Sequence, residues 1–183
     1  MASELIVQTL KGPTSGANAN KVIVPSGQTL TAPGHVIQVV HNLSTSLTSL
    51  STADTWSDAS DFSVSITPTS TSSKILIGVK FVYGSSSSTS NSVRLKRNTT
   101  PIALGGSSQL NLLGNVFVAH NNAVQGFGTY SIVYEDSPAS TDELTYQIQV
   151  INSGGTLYIN SRNDGNTADC QQHGYISAME IAG

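Results

Sequence analysis

The most constraining feature of this chain is an apolar residue at every second position, repeated in segment after segment. In 61–68, Phe62, Val64 and Ile66 share one side of an extended backbone, and Ser63, Ser65 and Thr67 the other. In 74–83, Ile75, Ile77, Val79, Phe81 and Tyr83 alternate with Lys74, Leu76, Gly78, Lys80 and Val82. Segments 128–135 and 143–151 repeat the pattern through Tyr130 and Ile132, and through Leu144, Tyr146, Ile148 and Val150. Successive side chains of a strand point to opposite faces, so each set forms one face of a half-buried strand. Helix formers are sparse, while Ser, Thr, Val, Ile, Gly and Asn are plentiful. Further strands are expected at 35–43, 92–97, 115–119, 156–160 and 174–181. Turn chemistry separates them: a Ser/Thr loop at 68–73, Asp136-Ser137-Pro138, and Ser153-Gly154-Gly155, which fits a short hairpin loop. The Ser run from Gly84 to Asn91 reads as a loop that does not pack. Eight or nine short strands at this spacing predict an all-β antiparallel sandwich or barrel rather than βαβ units.

Composition narrows the function. The 183 residues include 8 Lys plus Arg and 11 Asp plus Glu, a formal charge of −3. Charged residues make up 10%, against roughly 25% in ordinary soluble domains. With no basic excess to neutralise phosphates, a nucleic-acid partner is not expected. Solubility rests on 28 Ser and 19 Thr. Cys170 stands alone, which excludes an internal disulfide framework or a Cys-rich zinc module. Apolar runs such as Val22-Ile23-Val24 fall far short of the ~20 residues that span a bilayer, so membrane insertion is not expected. The first residues lack a basic region and carry Glu4, so no secretory signal is expected.

Residues 1–33 differ from the rest. Strand-like pieces (5–10, holding Ile6, and 21–24, holding Val22 and Val24) are interrupted by Gly12-Pro13, Gly16, Pro25-Ser26-Gly27 and Pro33-Gly34. This stretch has too little apolar surface to fold alone. It reads as an extended N-terminal attachment arm preceding a domain at 34–183, with a flexible leader as the alternative.

Several segments, in order, resemble a family of tailed-phage virion proteins common in marine and cyanobacterial phages. They are Ala32-Pro33-Gly34-His35-Val36-Ile37-Gln38-Val39-Val40, Ser65-Ile66-Thr67-Pro68 with Ser72-Ser73-Lys74-Ile75-Leu76-Ile77, and Tyr134-Glu135-Asp136-Ser137-Pro138-Ala139. Gly154-Gly155-Thr156-Leu157-Tyr158-Ile159-Asn160 and Ala178-Met179-Glu180-Ile181-Ala182 complete the set. The resemblance covers roughly residues 32–183. It implies a jelly-roll domain similar to the complement C1q and tumour-necrosis-factor heads, usually a homotrimer on the virion surface. Topology and trimer come from the resemblance; the periodicity gives only the antiparallel β class. The expected role is a non-enzymatic capsid decoration, or cement, protein partnered by a major capsid protein. The alternative is a short tail fibre or fibre-tip adhesin, partnered by tail components and a host-surface glycan or receptor. The short stretch before the head, with no room for a fibre shaft, favours decoration slightly.

No catalytic motif is present, and no cofactor is expected. Glu135, Asp136, Asp142 and Glu143 flank one turn and could pair as glycosidase acids, but they read as solvated turn residues. Cys170 and His173 sit at i and i+3, which on a strand point to opposite faces, so no metal is assigned there. His35, His41, His120 and His173 are candidates for a three-His site on a trimer axis, with ordinary histidines as the plain reading. The 164–169 loop and Asp54, Asp58 and Asp61 carry oxygen ligands without a full calcium loop. Arg94, Lys96 and Arg97 form the one basic cluster, with an edge strand guarded by charge as the plain reading and a glycan or acidic neighbour as the sharper one. The candidate interface residues are Ile6, Val22, Val24, Trp56, Leu76, Val133 and Ile151: Trp56 as a lone aromatic in a polar stretch, the last three as apolar side chains on the outward side of their strands. The sequons at Asn42 and Asn98 are not expected to be used in a bacterially made phage protein.

Overall fold

The computed structural model describes residues 11–19, 21–26, 32–86, 89–102, 117–119, 128–162 and 172–183. Its contacts divide the chain into two units, Met1–Ala32 and Pro33–Gly183. In the first, a turn closes through Ala19 N–H to the Gly16 carbonyl and Lys21 N–H to that of Asn18, both 3.1 Å. Val22, Ile23 and Val24 follow with no strand pairing, 52%, 55% and 40% exposed.

The second unit is entirely β among the described residues: β1 (Val36–Ser44), β2 (Thr48–Leu50), β3 (Ser57–Ile66), β4 (Lys74–Ser85), β5 (Thr89–Arg97), β6 (Thr100–Ile102), β7 (Phe117–Ala119), β8 (Gly128–Asp136), β9 (Leu144–Asn152), β10 (Leu157–Ile159) and β11 (Gly174–Ile181). Sheet I runs β1-β11-β4, with β10 and then β2 continuing beyond the end of β11, and β8 on the opposite edge of β4. Sheet II runs β3-β9-β5, with β6 and β7 sharing the far edge of β5. Every strand pair is antiparallel. Four of the pairings nest by sequence: β1 with β11, β3 with β9, β4 with β8, and β5 with β7. A long two-stranded ribbon rolled up on itself gives that nesting, with β11 meeting β4 and β9 meeting β5 where the roll closes. The domain is therefore a jelly-roll-like sandwich.

The alternating residues supply the core. Phe62, Ile66, Ile75, Ile77, Val79, Phe81, Tyr146, Ile148 and Val150 are at most 2% exposed, and Val64, Tyr130 and Leu144 at most 8%. Ile132 packs at the margin of this core. The expected core thus lies between the sheets. An aromatic group holds its centre: Phe81 stacks on Tyr130 at 5.1 Å, meets the edge of Phe62 at 5.4 Å and approaches Tyr83 at 6.4 Å.

Three expectations need correction. The described ends of the Ser run do pack: β4 extends through Ser85, β5 begins at Thr89, and Ser85 and Asn91 are fully buried, while Ser86 is exposed. Small hydroxyl side chains fit where the sheets approach, and backbone pairing satisfies their main chain. The Ser153–Gly155 turn does not close a hairpin. β9 lies in sheet II and β10 in sheet I, so the turn carries the chain across the sandwich, with Gly155 at φ 68°. β3 begins at Ser57 rather than near Asp61, because a register shift between Asp58 and Ser63 interrupts the alternation. That bulge lets both Ala59 and Phe62 face the core.

Candidate functional site

Two buried carboxylates close one end of the sandwich. Glu180 and Asp136 lie on the same cross-strand row, one on each side of Ile75. Glu180 is fully buried at a core-facing position of β11. Its Oε1 accepts from the Thr69 N–H, the Thr69 hydroxyl and the Ser73 hydroxyl, each at 2.7 Å; its Oε2 accepts from Gln38 Nε2 at 2.6 Å. These bonds pin the loop that crosses from β3 to β4. Burial alone pushes this carboxyl up, but the hydroxyl, amide and backbone donors outweigh it and hold the group below its ordinary value of 4.5.

The sign of the pH effect follows. A carboxyl with a lowered folded-state pKa contributes stability above its unfolded value, and that contribution disappears as pH falls through the folded value. Glu180→Gln places an amide donor near the Gln38 donor, and is expected to lose about 1–3 kcal/mol at neutral pH. In a series of melting curves, the wild-type advantage over this variant should shrink as the pH drops below 4.5. An unchanged gap down to pH 2 would contradict the assignment.

Asp136 accepts from Arg97 at 2.8 Å and from the Tyr146 hydroxyl at 2.7 Å, joining β8 of sheet I to β5 and β9 of sheet II. Burial raises the Tyr146 hydroxyl pKa, the neighbouring Asp136 raises it further, and Arg97 opposes both. The remaining turn acids are separate from it. Glu135 pairs with Lys74 at 2.7 Å, both about half exposed, Asp142 accepts from Ser140, and Glu143 is exposed. The four acids therefore form no shared pocket among the described residues.

The basic cluster lies inside sheet II rather than on an edge, since β5 has neighbours on both sides. Charge-guarding of a free edge is accordingly not its role. Lys96 binds Asp58 at 2.7 Å, and Gln149 Nε2 donates to the other oxygen of Asp58 at 2.7 Å. Arg94 Nε donates to Gln149 Oε1 at 2.6 Å, and its guanidinium lies 4.3 Å over the Trp56 ring. For Asp58, burial is outweighed by Lys96, Gln149 and Arg94, so its pKa is lowered. For Arg94, burial outweighs Asp58, and the pKa is again lowered. Trp56, Arg94, Gln149, Asp58 and Lys96 thus form one connected array on the outer face of sheet II.

Among the described residues no three His, Cys, Asp or Glu side chains converge as metal ligands. His41 and His173 are exposed and His35 is half-buried. His120, Cys170, the 164–169 loop and Ile6 lie outside the described residues. No helix among the described residues is long and apolar enough to cross a membrane.

The remaining interface candidates fall on two opposite faces. Leu76 and Val133 lie diagonally next to each other on the outer face of sheet I. Ile151 and Trp56 lie outside sheet II, where Ile151 is half-buried beside buried Ser92. Val22 and Val24 are exposed in the first unit. Sequence reading missed Val36, Val39, Leu43 and Tyr175, which are 49%, 51%, 56% and 40% exposed and extend the sheet I patch. The available signal was apolar residues at both parities of β1, the mark of a strand covered on both faces.

No protein-family model matches the chain, and no curated protein does. Among solved structures, it is similar to that of the infectious bursal disease virus Gx strain, with a TM-score of 0.40 and 11% identity over 89% of this chain and 42% of that one. It is also similar to the infectious bursal disease virus VP2 subviral particle, with a TM-score of 0.36 and 12% identity over 93% of this chain and 46% of that one. The chain spans less than half the length of either.

Proposed function

We propose that this chain is a non-enzymatic virion structural protein of a tailed phage, a homotrimeric decoration protein seated on the capsid surface. The observation that carries the reading is the nested β1·β11, β3·β9, β4·β8 and β5·β7 pairing, the jelly-roll topology implied by the sequence resemblance over residues 32–183. Its two unlike outer faces support the same reading. Sheet I presents apolar residues outward, whereas sheet II presents Ser63, Ser65, Thr145, Gln147 and the Arg94–Asp58 array. A protein bracing a shell needs one face for protein neighbours and another for solvent. Residues 1–33 are the proposed attachment arm, with Val22, Ile23 and Val24 offering exposed β-branched side chains, and no strand pairing among the described residues, to an open sheet edge of a neighbour.

The second reading, a fibre-tip adhesin, is favoured by one observation. Trp56 and Arg94 form an aromatic and cationic platform on the otherwise polar outer face of sheet II. Purified protein added to particles lacking it is expected to bind them and raise the temperature at which they release DNA, with residues 1–33 required for binding. Binding to host cells instead, abolished by Trp56→Ala, would favour the adhesin; binding to neither would overturn both.

A further inference from the structure

The outer face of sheet II carries an arginine that is fixed in place while most of its donors stay free. Arg94, Gln149 and Asp58 occupy one cross-strand row on β5, β9 and β3, and Lys96 and Gln147 lie on the next. Hydrogen bonds run along that row. Lys96 donates to one oxygen of Asp58 at 2.7 Å, and Gln149 Nε2 donates to the other at 2.7 Å. The second bond sets the Gln149 amide with its carbonyl toward Arg94, whose Nε donates to it at 2.6 Å. The guanidinium lies 4.3 Å over the Trp56 ring. A ring below and an amide at one edge therefore define its plane and its position. Only Nε is used. The terminal nitrogens Nη1 and Nη2 make no hydrogen bond or ion pair among the described residues.

We infer that Arg94 anchors a binding site for a carboxylate-bearing saccharide, an inference that rests on the surface used by the adhesin reading and names its ligand class. The free edge of a guanidinium presents two parallel N–H groups that match the two oxygens of a carboxylate. Trp56 and Gln149 hold that edge before a ligand arrives, so little side-chain freedom is lost on binding. The charge is available too. Asp58 is one carboxylate between two cations, Lys96 and Arg94, which leaves the array positive on a chain of net charge −3. Burial lowers the Arg94 pKa, so its charge is partly stripped of water and attracts an anion more strongly than a fully exposed arginine does. The rest of the face selects among anions. A nucleic acid carries a phosphate on every unit and needs several cations in line, which this array does not supply. The core of a protein interface is apolar, and none of the exposed large apolar residues lies on this face among the described residues. What flanks the row on the same side is Gln147, Ser63, Ser65 and Thr145. Hydroxyls and planar amides both donate to and accept from sugar hydroxyls. One surface ion pair is weak by itself, so the ligand is a chain of sugars that adds hydrogen bonds to these side chains.

The test is calorimetric titration of the full chain at low salt, with circular dichroism as a check that each variant is folded. The probes are short oligosaccharides of hyaluronan, a uronate, and of polysialic acid, a sialate, with neutral dextran and dextran sulfate as comparisons. At least one carboxylate probe is expected to bind in the millimolar range or tighter, the tighter of the two naming the acid sugar, and dextran is expected not to bind. Arg94→Ala should weaken binding by about tenfold or more. Arg94→Lys keeps the charge but loses the fork and the seat on Trp56, and should weaken it nearly as much. Lys80→Ala removes a charge from the opposite sheet and should leave binding unchanged. Wild type that binds neither carboxylate probe, or binding that survives Arg94→Ala, would overturn the site. Full binding by Arg94→Lys, or dextran sulfate bound as tightly as the carboxylates, would reduce it to unspecific charge attraction and overturn it as well. Attachment to host cells that needs Trp56, without binding to either carboxylate probe, would leave the adhesin reading standing and overturn the ligand class. Carboxylate binding without attachment to host cells would sustain the site and count against the adhesin reading.

Discussion

Phe81→Ala should lower stability by about 3–5 kcal/mol, the usual cost of removing a buried aromatic ring from a packed core. Phe81 is fully buried and touches three other rings, so its loss leaves a cavity that Phe62, Tyr83 and Tyr130 cannot fill without leaving their own contacts. For a domain of this size each kcal/mol corresponds to about 2–4 °C, so the melting temperature should fall by about 6–20 °C. Ser65→Ala is the control. Its hydroxyl meets Thr145 at 2.9 Å on the exposed face, and the substitution should shift stability by less than about 0.5 kcal/mol. The comparison is made at one protein concentration, because the proposed assembly would contribute to the apparent midpoint. A Phe81→Ala variant melting within 2 °C of wild type would mean the sheets do not pack as described.

Asp136→Ala should cost about 2–4 kcal/mol, somewhat below the cost of breaking a fully buried pair. It leaves the Tyr146 hydroxyl without its acceptor inside the sandwich and leaves Arg97 facing a low-dielectric end of the core. Arg97 keeps 28% of its side chain in water, which limits the loss. Lys74→Ala removes an ion pair of 2.7 Å, against 2.8 Å for Arg97–Asp136, between half-exposed side chains. It should cost no more than about 1 kcal/mol, since water already screens that pair. Equal effects from the two substitutions, measured by chemical denaturation, would show that burial does not distinguish them.

Much of this architecture was legible because period-two alternation reports burial directly. Phe62, Val64, Ile66 and the inward rows of β4, β8 and β9 lie where the alternation put them. Alternation fails where the chain departs from a regular ladder. The β3 bulge hid four residues of strand, and the three-residue strands β2 and β6 are too short to show a period. The Ser-rich end of β4 looked like a loop because hydroxyl side chains carry no hydrophobic signal, although Ser85 is buried.

Long-range topology was less legible still. Leu76, Val133 and Ile151 break the alternation in the same way, yet the fold places the first two on one outer face and the third on the other. Nothing local in a strand says which sheet it joins. Glu180 was missed as a buried anchor for a similar reason. Its partners are 107 to 142 residues away in the chain, and only the β1·β11·β4 pairing brings Gln38, Thr69 and Ser73 around it.

The most direct test of the account is an electron cryomicroscopy reconstruction of the phage particle proposed to carry this protein. The account predicts density for the jelly-roll domain in threes on the capsid surface, with the Trp56–Arg94 face turned to solvent. Density for single copies, or density confined to the tail, would contradict it.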